Sequence, residues 1–102
     1  MSFNGKEGGL ISLEDGAAMT ARYRANFPTQ IKARFFGKEI ITKILDQSGA
    51  VGIRMYFAQN ANNEMELVIC AADGNEIVIL VKIGDLSIAC PANCSAANSL
   101  NT

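Results

Sequence analysis

Two cysteines near the C-terminal end of the sequence could do chemistry. Cys90 and Cys94 stand in the stretch CPANC with three residues between them, whereas the thioredoxin-type redox motif has two. Three interpretations stay open: the cysteines only shape a loop, they form a reversible disulfide across the proline turn, or they supply half of a tetrahedral zinc or iron-sulfur site shared by two chains. We expect free thiols, because the cytoplasm keeps cysteines reduced and three cysteines cannot all pair within one chain. Cys70, in an apolar stretch, is expected to be structural.

An excess of basic residues marks the segment 20–45. The segment has six Lys and Arg residues against one acidic residue, Glu39, which gives +5 in a chain whose total charge is −1. A basic surface of this kind can bind an anionic small molecule or nucleic acid, with Arg24 and Arg34 as forked phosphate ligands. It can equally pair with the acidic half of another copy, or be a solvated helix face. The pI of about 5.3 argues against a nucleic-acid partner.

Arg54 is a separate case, because it lies within a predicted strand of apolar residues. Its side chain either emerges on a solvated sheet face or is buried beside an acid, with Glu66 and Glu76 as the candidates on neighbouring strands. The residues that we consider for ligand binding are Arg22, Arg24, Arg34, Lys38 and Arg54.

The sequence contains no histidine. This excludes Ser-His and Cys-His nucleophile pairs, histidine general bases and every zinc site that needs an imidazole. No remaining nucleophile has a base at a recognisable spacing. We therefore predict no catalytic residue, no enzyme activity and no cofactor.

A first helix is predicted over residues 13–26. Ser12 can cap it, because its hydroxyl can accept the free backbone N–H of Asp15, and Pro28 makes continuation past residue 26 unfavourable. The helix has one broad face that carries its larger side chains, formed by Leu13, Ala17, Met19, Thr20, Tyr23 and Phe27.

A second helical stretch follows over residues 31–47. Gly37 lies in its apolar stripe, where it either allows close packing against a neighbour or divides the stretch into a short turn at 31–36 and a helix from Lys38 to Gln47. The chain therefore has two helices, or three if Gly37 divides the second stretch.

From Val51 onward the apolar pattern indicates strands. They are predicted in AVGIRMYFA, MELVICAA and IVILVKIGD, and the turns between them are the asparagine-rich NANNE and a type I′ turn at Asp73-Gly74. Consecutive strands with short turns make a three-stranded antiparallel meander. The last segment, LSIACPANCSAANSLNT, is small and polar and contains a proline, so it is predicted to be an irregular tail.

These elements predict an α+β fold in which two or three N-terminal helices pack on the meander and the irregular tail follows. A single domain over residues 1–102 is expected. Within it we expect a flexible leader at 1–10, a helical half at 11–48, the meander at 50–86 and the tail at 87–102.

The sequence also predicts the cellular compartment of the protein and its association with other chains. No apolar run reaches the roughly 18 residues that a membrane helix needs, and the start has no signal-peptide core, so we expect a cytoplasmic protein that does not contact a membrane. A three-stranded sheet leaves two edges uncovered, and short chains commonly resolve this by association. We therefore predict a homo-oligomer that acts by self-association or protein–protein interaction, with an unidentified protein as a further partner.

Three longer strings of the sequence are together typical of one protein family. TARYRANFPTQIKARFFGKEIITKIL, VGIRMYFAQN and CPANCSAANSLN occur in this order between Ser12 and Asn101. On these strings the chain resembles a family of small uncharacterised proteins from Bacteroidota. Members often have a cysteine just before the VGIR strand, where this chain has Ala50. No activity is established for that family, so the resemblance implies a cytoplasmic bacterial origin and no mechanism.

Overall fold

A computed structural model describes residues 2–101 as two helices and five strands. In chain order the elements are α1 (Leu13–Asn26), β1 (Ala33–Phe35), α2 (Lys38–Leu45), β2 (Ala50–Gln59), β3 (Met65–Asp73), β4 (Val78–Gly84) and β5 (Ile88–Cys90). The strands form two antiparallel sheets, one of β1 and β5 and one with the order β2-β3-β4. The predicted α+β class and the predicted three-stranded meander are confirmed.

The chain divides into two compact units. Among the described residues, the first has residues 2–8 and Phe36–Ser87, and we call it the meander unit because it contains α2 and β2 to β4. The second has Gly9–Phe35 and residues 88–101, and we call it the disulfide unit. It contains α1, β1 and β5. Of the two predicted helices, α2 therefore belongs to the meander unit and α1 to the disulfide unit.

The core of the meander unit lies between α2 and the sheet. Ile44 of α2 is fully buried, and Ile69 and Ala71 of β3 are buried with it. Partly buried apolar residues pack around this cluster, namely Phe36, Ile40, Ala50, Ile53 and Ile79. Residues four apart lie on the same face of a helix, so Ile40 and Ile44 both reach the sheet and fix α2 on it.

The segment that precedes α2 is a strand. Gly37 caps α2 in an extended conformation (φ −65°, ψ 156°), so the interpretation in which Gly37 divides the segment is the better one. The residues before it, however, form β1 rather than a helical turn, because Ala33 pairs with Cys90 and Phe35 with Ile88. The same pairing corrects the prediction of an irregular tail, because that segment begins with the strand β5.

The disulfide unit confirms the predicted bounds of α1 and shows that part of its broad face is exposed. The Asp15 backbone N–H donates to Ser12 Oγ at 3.0 Å, as expected. Large apolar residues of the predicted face are nevertheless exposed, among them Leu13, Met19 and Phe27. The half-buried positions are Ala17, Thr20 and Tyr23 of that face, together with Gly16 and Arg24. A Cβ on Gly16 would lie 3.5 Å from Leu100 Cδ2, so α1 turns its small residues towards the C-terminal segment.

The two turns of the meander differ in how far they follow the prediction. In NANNE, Asn63 has the expected left-handed backbone (φ 64°). In DGNE the left-handed residue is Glu76 (φ 67°), so the type I′ turn at Asp73-Gly74 is wrong. The Asp73 carboxylate explains the difference, because its Oδ1 accepts the backbone N–H groups of Asn75 and Ile77 and thereby builds a longer turn.

The ladder between β3 and β4 is interrupted. Cys70 pairs with Ile83 and the next residue, Ala71, pairs with Ile79, so the three residues 80–82 leave the ladder. The side chain of Gln47 hydrogen-bonds one backbone group of this bulge, since its Oε1 accepts the backbone N–H of Lys82 at 3.2 Å. Bulges of this kind disrupt the edge of a sheet and disfavour pairing with another chain.

Gly84→Ala is expected to destabilise the meander unit by about 1 to 3 kcal/mol, because it overpacks the core. A Cβ at this position would lie 2.9 Å from Ile69 Cγ1 and 3.1 Å from Ile44 Cδ1. Gly52→Ala is the matched control, since a Cβ there meets nothing within 4 Å and replacing a strand glycine tends to stabilise. Urea unfolding followed by circular dichroism measures both. Equal losses in the two variants would contradict the close approach at Gly84.

Candidate functional sites

The outer halves of β2 and β3 form a two-stranded ribbon. The ladder between β3 and β4 ends where Ile69 pairs with Gly84, whereas β2 and β3 remain paired as far as Gln59 and Met65. We call residues 55–59 and 65–68 the ribbon. A two-stranded antiparallel pair is only marginally stable by itself in water, so this part of the sheet gains most from an additional strand.

The ribbon exposes large apolar side chains along its β2 edge. Met55 is 56% exposed, Tyr56 48% and Phe57 83%. Successive side chains of a strand point to opposite faces, so Met55 and Phe57 lie on one face and Tyr56 on the other. Since β2 is an outer strand of the β2-β3-β4 sheet, both faces beside this edge are apolar and solvent-accessible.

The other outer strand, β4, also exposes apolar residues but has a different edge. Leu80 is 67% exposed and Val81 88%. Both lie in the bulge, next to the charged Lys82. Lysine and bulges are two devices that protect sheet edges from pairing with other chains. Residues 55–59 of β2 contain no charged residue and no proline, and the register shift of that strand lies elsewhere, between Ala50 and Gly52.

A pocket of about 410 Å³ lies beside Arg54 in the meander unit. The Arg54 guanidinium lies 5.2 Å from the centre of the Phe3 ring, as in a cation–π pair, and the Phe3 backbone N–H donates to the Gly74 carbonyl oxygen at 3.0 Å. Glu7 also lines the pocket. The backbone N–H groups that it accepts, first of all that of Asn4, hold the pKa of Glu7 below its usual range. Arg54 is thus half-buried beside an aromatic ring, and the alternative in which it pairs with Glu66 or Glu76 stays a prediction.

Cys90 and Cys94 form a disulfide in the disulfide unit. The expectation of free thiols is therefore wrong for this pair, and it is confirmed for Cys70, which is free and buried. Cys90 is the last residue of β5 and is only 7% exposed, and its carbonyl oxygen accepts the Lys32 backbone N–H at 2.6 Å. Cys94 is exposed. The two half-cystines thus differ: one is anchored in the sheet and the other is accessible.

A second pocket, of about 310 Å³, borders this disulfide, and we call it the thiol pocket. It is lined by Lys32, Ala33, Arg34, Phe35, Ile88, Cys90, Asn93, Cys94, Ser95, Asn98, Leu100 and Asn101. Two hydrogen bonds hold its C-terminal wall, one from Arg24 Nη1 to the Leu100 carbonyl oxygen at 2.6 Å and one from Lys32 Nζ to the Asn101 carbonyl oxygen at 3.5 Å. Two of the lining residues carry positive charge and none of them is acidic.

The predicted basic residues do not form one helical face. Arg22 and Arg24 are on α1, Arg34 is on the strand β1, and all three belong to the disulfide unit. Lys38 is the first residue of α2 in the meander unit, and Arg54 is on β2 of the same unit. Sequence reasoning missed this division because it assigned residues 31–47 to helix, and a strand of three residues gives no periodic signal.

The sequence also gave little indication of the two features that position the candidate sites. The thiol pocket depends on the pairing of β1 with β5, two strands that are separated by most of the sequence. The exposure of the ribbon depends on the end of β4 at Gly84. The run Met55-Tyr56-Phe57 is a usable signal, because three consecutive large apolar residues in a strand place apolar groups on both faces.

Neither a metal site nor a membrane span is found in the part of the chain that the structure describes. No three His, Cys, Asp or Glu residues among residues 2–101 are grouped closely enough to hold a metal ion. No helix in that range is long and apolar enough to cross a membrane. While Cys90 and Cys94 are bonded to each other, they are not available as thiolate ligands.

Comparisons of the chain with protein-family models, with curated proteins and with solved structures found no match.

Proposed function

We propose that this protein acts by self-association, in which two copies pair their β2 edges antiparallel about a twofold axis. Each copy would contribute its three-stranded sheet, so the pair would form one continuous six-stranded sheet. The segment that pairs is the ribbon part of β2, residues 55–59. The observation that carries the proposal is the unprotected apolar edge at Met55, Tyr56 and Phe57.

The distribution of these side chains on both faces favours an added strand over other modes of contact. A partner that covered a single face of the sheet would bury Met55 and Phe57 and leave Tyr56 in water, or the reverse. A strand that pairs beside β2 continues both faces at once, so its own side chains pack laterally against all three of these residues. A second copy of the same strand is self-complementary in this arrangement, as an isologous twofold contact requires.

The composition of the edge agrees with that of known interfaces. Aromatic residues and methionine are enriched in interface cores, whereas charged residues are depleted there. The three side chains are of the enriched types, and Gln59 and Asn60 at the end of the strand would form the polar rim. The contrast with β4, where a bulge and Lys82 protect the edge, supports β2 as the edge that pairs.

The remaining expectations from the sequence are part of the same proposal. We place this association in the bacterial cytoplasm and assign it no catalysis. A different protein that supplies the added strand is an outcome that the experiment below would reveal. Anion or nucleic-acid binding through the basic residues stays a prediction.

Native mass spectrometry of the purified protein, over protein concentrations from about 0.1 to 100 µM, tests the proposal. We expect a concentration-dependent dimer, and we expect size-exclusion chromatography to show that it persists at high salt, because burial of apolar side chains is not screened by ions. A monomer at all concentrations would contradict self-association. A dimer that dissociates as salt is raised would contradict the apolar edge as its interface and favour charge pairing instead.

A further inference from the structure

The disulfide between Cys90 and Cys94 joins a buried residue to an exposed one. Cys90 is 7% exposed and is held in β5 opposite Ala33, whereas Cys94 lies in the loop that follows and is exposed. Thiol–disulfide exchange requires a thiolate to approach one sulfur while the other sulfur leaves. The exposure of residue Cys94 makes its sulfur the one that we expect to be attacked, with the sulfur of the anchored Cys90 as the leaving group.

The thiol pocket provides a place for a thiol to bind beside that sulfur. Its volume of about 310 Å³ lies at the small end of the range for small-molecule sites. Lys32 and Arg34 give its wall two positive charges, and the side-chain amides of Asn93, Asn98 and Asn101 add donors and acceptors. Apolar surface comes from Phe35, Ile88 and Leu100. This chemistry suits a small molecule that carries negative charge together with a thiol.

We propose that the Cys90–Cys94 disulfide is a thiol–disulfide exchange site whose reaction partner is a small anionic thiol, such as a thiol peptide of the glutathione class, bound in the thiol pocket. The proposal is independent of the association through β2. It concerns the disulfide unit alone, and it assigns Lys32 and Arg34 as the residues that attract the anion.

In the reducing direction, two small thiols reduce the protein disulfide in two exchange steps. The thiolate of the bound molecule attacks Cys94 Sγ, a new sulfur–sulfur bond forms between them, and the electron pair of the broken bond goes to Cys90 Sγ, which becomes a thiolate and takes a proton from water. A second molecule of the thiol attacks the sulfur of the first, which releases the small-molecule disulfide and leaves Cys94 as a thiol. Two small thiols are oxidised and the protein disulfide is reduced to a dithiol. The reverse steps oxidise the protein.

In the cytoplasm, which is the compartment expected from the sequence, such an exchange would have a redox role. Disulfides in the reducing cytoplasm are mostly transient, and they belong to catalytic or redox-sensing proteins. Exposed disulfides are also more easily exchanged than buried structural ones. A crosslink that leaves one half-cystine exposed beside a basic pocket is therefore suited to follow the ratio of reduced to oxidised small thiol.

The test compares the rates at which an anionic and a neutral thiol reduce the disulfide. Reduced glutathione and 2-mercaptoethanol are each added to the oxidised protein, free cysteines are alkylated at timed intervals, and mass spectrometry counts the alkylated groups. In the double variant Lys32→Gln/Arg34→Gln, we expect the rate with glutathione to fall about fivefold to tenfold. In water, one unit charge at a distance of several ångströms changes the rate of encounter with an anion by about threefold, and the variant removes two such charges. The rate with 2-mercaptoethanol should fall clearly less, because its reacting thiolate carries one negative charge, whereas the thiolate form of glutathione carries a net charge of two.

The matched control is Lys43→Gln/Lys82→Gln, which removes the same amount of charge from two exposed lysines of the meander unit. We expect it to leave both rates unchanged. An equal fall with both thiols in the pocket variant, or the same fall with glutathione in the control variant, would overturn the role of the thiol pocket. Both variants keep the disulfide, so the comparison does not depend on its loss.

A second measurement identifies the sulfur that is attacked. Cys90→Ser and Cys94→Ser are each incubated with oxidised glutathione, and the mixed disulfide is located by peptide mapping. We expect Cys94 in the first variant to form the adduct at least about tenfold faster than Cys90 in the second, because exposure controls access to the sulfur. Equal rates, or an adduct at Cys90 only, would overturn the assignment.

Discussion

Phe57→Lys is expected to convert the proposed dimer into a monomer at micromolar concentration. Burying a phenylalanine side chain contributes about 1.5 to 3 kcal/mol, and a twofold interface contains the residue twice, so the dissociation constant should rise at least about 100-fold. The lysine also places a charge on the pairing edge, which is a device that natural sheets use against association. Native mass spectrometry and light scattering measure the change.

The control for this variant comes from the other exposed strand. Phe57 is 83% exposed and Val81 is 88% exposed, so a lysine at either position is tolerated by the isolated chain. Val81→Lys makes the same kind of change outside the ribbon and is expected to leave the dissociation constant within about threefold of the original. If Val81→Lys dissociates the dimer and Phe57→Lys does not, the interface is at β4 and the proposed pairing of β2 is wrong. Circular dichroism of both variants checks that the meander unit remains folded.

Ile44→Ala is expected to lower the free energy of unfolding by about 2 to 5 kcal/mol. Ile44 is fully buried in the cluster with Ile69 and Ala71, and it is the fully buried residue through which α2 is fixed on the sheet. The deletion removes its apolar contacts and leaves a cavity that a short helix cannot easily close. Chemical unfolding followed by circular dichroism measures the loss.

Ile77→Ala is the matched control for Ile44→Ala. The residue type and the substitution are the same, and both positions belong to the meander unit, but Ile77 is 61% exposed. Its backbone N–H bonds to Asp73 Oδ1 at 3.0 Å, and that bond survives the substitution. A change within about 0.5 kcal/mol is expected. A loss at Ile77 as large as that at Ile44 would show that the buried cluster is not the main source of stability in this unit.

Local sequence signals predicted the elements that local chemistry determines. The bounds of α1 follow from the Ser12 cap and from Pro28, both of which act within one turn of the helix end. The meander follows from apolar patterns separated by turn residues, and Asn63 adopts the left-handed conformation expected of an asparagine turn. These signals need no knowledge of distant parts of the chain.

Features that depend on distant pairing could not be predicted in the same way. Arg34 was assigned to a helix because residues 31–47 have a helical spacing, but its backbone pairs opposite Ala89 in β5. The same pairing anchors Cys90, so the thiol pocket could not be found without it. The exposure of Leu13 and Met19 could not be predicted either, since contact with Leu100 places Gly16, rather than these larger side chains, on the packed side of α1.

The two units are interleaved along the chain, and this imposes an order on biosynthesis. Both β1 and β5 belong to the disulfide unit, but all of Phe36–Ser87 is translated between them. On the ribosome, β1 therefore emerges before the meander and has no partner until the meander has been completed. The meander unit can fold while β5 is still being made, and folding of the intervening segment leaves less chain entropy to lose when β1 and β5 finally meet. The pairing of β1 with β5, which anchors Cys90, is therefore a later step than the folding of the meander unit.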